Sequence, residues 1–120
     1  MIGAQTQGRL GNQMFIVATT YSLALDNNDS VTFPEDVICV TLPTPKETSI
    51  HRNTVFRDIK YTNDLSFVKN VYHEPEDHSY QQIEYAENMF LVGYFQSEKY
   101  FKHNREKIIE LFSPIPQIDA

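Results

Sequence analysis

The side chains best suited to chemistry sit in a short glycine-framed turn, Gly8-Arg9-Leu10-Gly11-Asn12-Gln13. Gly8 and Gly11 carry no Cβ, so the backbone there can take positive φ or let a ligand approach closely. Arg9 holds a permanent positive charge. The run Met14 to Leu25 has helical spacing, which places Asn12 as the helix N-cap, its side-chain oxygen accepting from an amide one turn in. A helix N-terminus presents free N–H groups and a partial positive charge, a setting for an anion such as phosphate. The spacing is neither the Gly-x-Gly-x-x-Gly of a dinucleotide site nor a P-loop ending in Gly-Lys-Ser/Thr. A purely structural strand–turn–helix corner is the competing reading.

Two other clusters are weaker. His73-Glu74-Pro75-Glu76-Asp77-His78 packs two imidazoles among three carboxylates. Its second His falls one residue late for His-Glu-x-x-His, and Pro75 bars a regular helix across the pair. A solvated acidic loop is expected there, and no metal. The segment 46–60 holds Lys46, His51, Arg52, Arg57 and Lys60. It reads as solvated surface or as one wall of a site for an anionic or sugar ligand.

Periodicity supplies the framework around the first turn. Ile2 to Gln7 is a short extended run. Met14, Ala18, Tyr21 and Leu25 form one helical stripe, with Phe15 and Ser22 beside it. Asn27 and Asn28 terminate that helix. Val31-Thr32-Phe33 is a second strand ended by Pro34, so the chain opens with a βαβ unit and a parallel sheet. Val37 to Leu42 reads as a buried strand, with Pro43 and Pro45 turning the chain after it. The apolar run Phe90-Leu91-Val92 reads as another buried strand. Gly93 breaks it. Ser97 then caps a final helix that turns Phe101, Ile108 and Phe112 to the core and ends at Pro114 and Pro116. In a parallel sheet both glycine turns fall at strand carboxyl ends, on one rim, where ligands bind.

Composition narrows the classes. At 120 residues and 41% apolar, with eight Phe and seven Tyr, the chain is one ordered domain with a core. A net charge of −6 without a basic run gives no footprint for nucleic acid and no polybasic segment for anionic lipid. The single Cys39 excludes an internal disulfide framework, suits a reducing compartment and reads as a small buried hydrophobe. No stretch reaches the roughly 20 apolar residues of a membrane span, and no signal-peptide pattern opens the chain.

The string Gly8-Arg9-Leu10-Gly11-Asn12-Gln13-Met14-Phe15 resembles the N-terminal motif of the α-1,2-fucosyltransferase family. A related Gly-x-x-Gly-Asn-Gln turn occurs in protein O-fucosyltransferases. Downstream, Gly93-Tyr94-Phe95-Gln96-Ser97-Glu98-Lys99-Tyr100-Phe101 looks like the Gly-Tyr-Phe-Gln-Ser-x-Lys-Tyr-Phe segment of the same family. The intervening stretch from Asn27 to Glu87 matches only loosely.

The resemblance implies an α/β domain with a Rossmann-like, mostly parallel sheet, equivalent over residues 1–120 to the N-terminal half of a GT-B glycosyltransferase. It implies metal-independent transfer of L-fucose from GDP-fucose to a galactoside hydroxyl, with inversion and no further cofactor. Asn12 becomes the catalytic candidate. Gly8, Arg9, Gly11, Asn12, Gln13, Tyr94, Gln96 and Ser97 become the substrate-binding set. The family's His-x-Arg-Arg-x-Asp-Tyr donor motif does not occur in these 120 residues. The expectation is therefore a half that is inactive by itself: one completed by a second polypeptide that supplies the donor-binding domain, or a degenerate remnant; a pocket built differently, with Arg52 or Arg57 of segment 46–60 as cations, is the alternative. Because no anchor opens the chain, the resemblance also implies a cytoplasmic location, free or peripheral to a membrane. A non-catalytic sugar- or partner-binding module and a small nucleotide-binding protein stand as the alternatives.

Overall fold

A computed structural model describes residues 1–6, 10–34, 61–62 and 64–112. Strands β1 (Ile2–Ala4), β2 (Val31–Pro34), β3 (Tyr61–Thr62), β4 (Asn70–His73) and β5 (Met89–Val92) form a sheet of order β3-β2-β1-β5-β4. Every strand pair in it is parallel. The chain steps outward from β1 through β2 to β3, then crosses over. It lays β4 at the far edge and β5 between β4 and β1. The strand order therefore reverses about β1, which makes the β1–β5 boundary the switch point of the sheet. This is a small α/β fold with a parallel sheet, compatible with a Rossmann-like arrangement.

The strands form where their side chains can be buried. Ile2, Ala4, Phe33, Met89 and Leu91 are all buried, and they share one apolar cluster with Ile16 and Val17 of helix α1 (Leu10–Asp26). Burial of such side chains contributes about 1.5–3 kcal/mol each before chain entropy is set against it.

The buried face of α1 keeps Ala18 and Ser22 of the expected stripe but is otherwise turned from it. Gln13, Ile16, Val17, Thr20 and Ala24 are buried, Met14 and Tyr21 are half-buried, and Leu25 is exposed. The largest apolar side chains misled the periodicity. Thr20 can lie in the core because its hydroxyl donates to the Ile16 carbonyl at 2.7 Å, so its polar atom is not stranded there. Asn28 takes φ +52 after the helix, and the Asp29 N–H donates back to the Ala24 carbonyl at 2.9 Å, the left-handed stop expected of this asparagine pair.

The final helix is also divided. Two 3₁₀ turns, Glu98–Tyr100 and Lys102–Asn104, precede α2 (Arg105–Phe112). Phe101 leaves helical geometry at φ −137, ψ 9, and its ring sits 6.0 Å from that of Phe15 on α1. Asn104 then donates to the Ser22 hydroxyl at 2.7 Å and to Asp26 at 3.0 Å. These bonds tie the segment before α2 to α1, and the expected Phe101 and Phe112 pack against the core cluster. Ile108 and Leu111 become its buried pair, while Phe101 and Phe112 are half-buried. The strand expected at Val37–Leu42, Cys39, the 46–60 segment, and Gly8 and Arg9 lie outside the described residues.

Candidate functional site

The two motif turns converge. β1 and β5 run side by side with Ile2 opposite Met89 and Ala4 opposite Leu91, and the Gln5 N–H continues the ladder to the Leu91 carbonyl at 3.1 Å. Both turns thus leave the same rim from adjacent strands. Gln96 Nε2 donates to Asn12 Oδ1, joining residues 84 positions apart.

Asn12 is not the N-cap. The helix begins at Leu10, which puts Asn12 inside its first turn. Its side-chain oxygen is turned to Gln96 instead of back to a helix amide. Asn12 is half-buried, Gly11 exposed and Gln13 buried. A Cβ built on Gly11 would meet nothing within 4 Å among the described residues. No acidic side chain lies in the first turn of α1, so no carboxylate of that turn opposes the positive end of the helix dipole. Thr6, buried just beyond β1, has a hydroxyl with no hydrogen-bond partner among the described residues.

The second turn is built differently. Glu74 directly follows β4, and the β4–β5 register sets His73 opposite Val92, which brings Glu74 beside Gly93. The Glu74 side chain is only 3% exposed. Its Oε1 accepts from the Tyr94 N–H at 3.0 Å and its Oε2 from the Phe95 N–H at 3.1 Å. The exposed His78 imidazole lies 3.0 Å from Oε1. Gly93 sits at φ +152 and Phe95 at φ +50, a left-handed conformation that costs a non-glycine residue about 1–3 kcal/mol. The carboxylate bonds and the complete burial of the Phe95 ring hold it there. The His73–His78 string is therefore not simply a solvated loop. Its Glu74 is an internal anion seated in a cradle of backbone amides, and sequence reasoning missed it. The signal was a register, Glu after one strand and Gly after its neighbour, and it is invisible until the strands are paired.

At this turn Ser97 accepts from the Lys99 N–H at 3.3 Å and caps the first 3₁₀ turn. Tyr94 is half-buried against the His78 ring. Gln96, exposed, is the side chain this motif sends to the rim. Nearby, burial first and the Glu74 charge second push the Tyr72 phenol above its ordinary value, so it stays neutral at physiological pH.

A sizeable concavity lies elsewhere among the described residues. A cleft of about 760 Å³ opens along the C-terminal half of α1, against the stretch from Tyr80 to Tyr85 and the first 3₁₀ turn. Asn12 and Gln96 do not line it. The shallow rim is supported by converging motifs and the cleft by its shape. They are separate features, and volume alone does not locate the motif chemistry.

Among the described residues no group of three His, Cys, Asp or Glu side chains is placed to hold a metal, and no helix is long and apolar enough to cross a membrane. No protein-family model, no curated protein and no solved structure matches this chain.

Proposed function

We propose that the rim formed by Gly8–Gln13 and Tyr94–Ser97 is the acceptor-side half of a glycosyl-transfer site of the α-1,2-fucosyltransferase kind, completed by a donor-binding domain. The observation that supports this reading is the Asn12–Gln96 hydrogen bond. It joins the two stretches that resemble the family, at the switch point where α/β sheets bind ligands.

In such a transfer the acceptor oxygen attacks the anomeric carbon, the bond to the diphosphate oxygen breaks, and the acceptor proton leaves to a base. Positive charge grows on the sugar and negative charge on the leaving diphosphate. Asn12 and Gln96 orient the acceptor hydroxyl through amide donors and acceptors. The first-turn amides of α1 face the diphosphate, and Arg9 of the same motif contributes a cation. The complementing domain supplies the remaining cations. GDP-fucose is the donor and a galactoside the acceptor.

The test is titration of the chain with GDP-fucose and with lactose, followed by amide and side-chain NMR shifts. Product is then assayed with and without a family donor-binding domain. Shifts at Asn12, Gln96 and Gly11 are expected, with no transfer by the chain by itself. Asn12→Ala should weaken binding about tenfold. Because Asn12 is no cap, the substitution should cost less than the roughly 1 kcal/mol of a lost N-cap. Silence of all three residues toward both ligands would falsify the proposal. Shifts with lactose alone, and no transfer after complementation, would favour a non-catalytic sugar-binding module. The occupied amide cradle behind Gly93 gives that second reading some weight, since it leaves fewer donors for a diphosphate.

A further inference from the structure

We infer that β4 is an interaction edge, to which a second copy of this chain adds its own β4, antiparallel, and so continues the sheet. β4 is flanked by β5 alone. Asn70, Val71 and His73 are exposed along it, Val71 to 54%. The Asn70 N–H donates to the Asn88 carbonyl at 3.2 Å and the Glu74 N–H to the Val92 carbonyl at 2.9 Å, both on the β5 side. Backbone direction alternates along a strand, so Val71 and His73 turn their N–H and C=O groups to the open edge. No strand among the described residues pairs with them there. β4 itself contains neither the proline nor the lysine that commonly guards an exposed edge.

The outward groups select the register. A two-fold axis at Tyr72 sets Val71 of each copy opposite His73 of the other, and each such pair exchanges both backbone bonds. Centring the axis on Val71 would set His73 against Lys69, whose N–H is already given to Asn88 at 2.8 Å. Centring it on His73 would set Val71 against Pro75, which has no N–H to give. At Tyr72 the cross-strand pairs are Tyr72 with Tyr72 and Val71 with His73, aromatic and β-branched combinations that favour pairing. A groove of about 330 Å³ lies along Asn70, Val71 and Tyr72, open to side chains that an added strand points to that face.

Charge selects a second copy as the occupant. Lys69 precedes the strand and Glu76 follows it. Neither has an ion-pair partner among the described residues. The axis at Tyr72 brings Lys69 of each copy alongside the Pro75–Glu76 stretch of the other, so the pairing is complementary at both ends. The surface runs along the side of the sheet, whereas the rim lies at the carboxyl ends of β1 and β5, so the inference does not depend on the reading of the rim. A four-residue strand makes this a weak, transient interface, with Kd on the order of 100 µM.

The test is sedimentation equilibrium of the chain from about 10 µM to about 1 mM, with amide hydrogen exchange over the same range. A monomer–dimer equilibrium is expected. Protection of the Val71 and His73 amides should rise severalfold with concentration, while that of Tyr72, which faces β5, stays level. Val71→Pro removes an outward N–H that the monomer does not use, at a place where a sheet edge tolerates proline. It should weaken dimerisation about tenfold or more with Tm unchanged. If it lowers Tm, the charges decide: Lys69→Glu should weaken the dimer severalfold, and Lys69→Glu combined with Glu76→Lys should restore it. A monomer at 1 mM, a dimer that leaves the Val71 and His73 amides unprotected, or a dimer indifferent to Val71→Pro and to charge reversal would each overturn the inference. Protection that arises only when a different polypeptide is added would overturn it too, and assign the edge to another strand.

Discussion

Two glycine turns leave the sheet side by side, and they use their glycines for opposite reasons. Behind β5, Gly93 has no room for a side chain. A Cβ there would lie 2.5 Å from the Cβ of Glu74, at a φ of +152. After β1, Gly11 sits inside a helix, and a Cβ there would touch nothing within 4 Å among the described residues. The fold demands the first glycine and is indifferent to the second. The amides behind Gly93 are already occupied by the protein's own carboxylate, whereas no acidic side chain stands in the first turn of α1. A ligand thus has more to gain at Gly11 than at Gly93. Of two motifs that look alike on paper, one is architecture that aims Gln96 and the other is a surface left accessible.

Gly93→Ala puts this contrast under the greatest load. It combines a backbone conformation unsuited to L side chains with a collision against Glu74, and should cost about 3 kcal/mol or more in urea unfolding. A loss below about 1 kcal/mol would mean that Glu74 moves aside at little expense, and the structural half of the contrast would fall. Next is Glu74→Ala, which strands two N–H groups of the turn and should cost about 2–3 kcal/mol. Glu74→Gln keeps one acceptor oxygen and should retain part of that stability. Equal losses for the two variants would show that the carboxylate fills space and does not hold the amides.

The opposite end of the sheet provides a pH-dependent control. Asp29 lies 2.7 Å from the Met1 ammonium and accepts from the Tyr85 hydroxyl at 2.7 Å. Burial pushes its carboxyl upward, but the bonds from Met1, Tyr85 and Ser30 together win and hold it below its ordinary 3.8. A depressed carboxylate contributes stability that is complete above the unfolded value near 3.8 and is lost as pH falls through the lower folded value. Wild type should therefore lose this contribution only in acid below about pH 4, and Asp29→Asn should flatten that limb of the stability curve. The Gly93→Ala penalty should persist at neutral pH, where this limb is flat.

The smallest effect on the fold belongs to Gly11→Ala. It should leave stability unchanged or raise it by about 0.5–1 kcal/mol, the helix preference of Ala over Gly. The informative reading is binding. If a ligand approaches the backbone at the rim, this stabilised variant should bind it more weakly, and undiminished binding would reduce Gly11 to a neutral surface position.

The parallel frame was legible because β1, β2 and β5 are short apolar runs bounded by glycine, proline or asparagine. Their burial on both sides leaves no other pattern to read. The shared rim followed from that topology. The orientation of α1 was partly hidden because Thr20 and Gln13 take core positions that apolar periodicity assigns to Met14, Tyr21 and Leu25. The break at Phe101 was hidden because a ring contact with Phe15 decides it, not a helix-breaking residue. Asn12 satisfies cap statistics, but helix α1 starts two residues earlier and the side chain answers to Gln96, far along the chain. Each miss is a tertiary contact overriding a local preference.

The bond between Asn12 and Gln96 closes one of the longest loops in the chain, 84 residues. Its formation waits on the β1–β5 ladder, and the turn that presents Gln96 waits in turn on β4 delivering Glu74. Contacts of such separation repay their loop-closure entropy only after shorter-range structure exists. The rim is accordingly expected to form after the β1–β5 ladder and to open before it. Its side chains contribute little to the folding barrier and act mainly on the rate of unfolding. Evolutionary change at Asn12 or Gln96 is therefore cheap for the folding reaction, and the rim can be retuned while the order in which the sheet assembles stays the same.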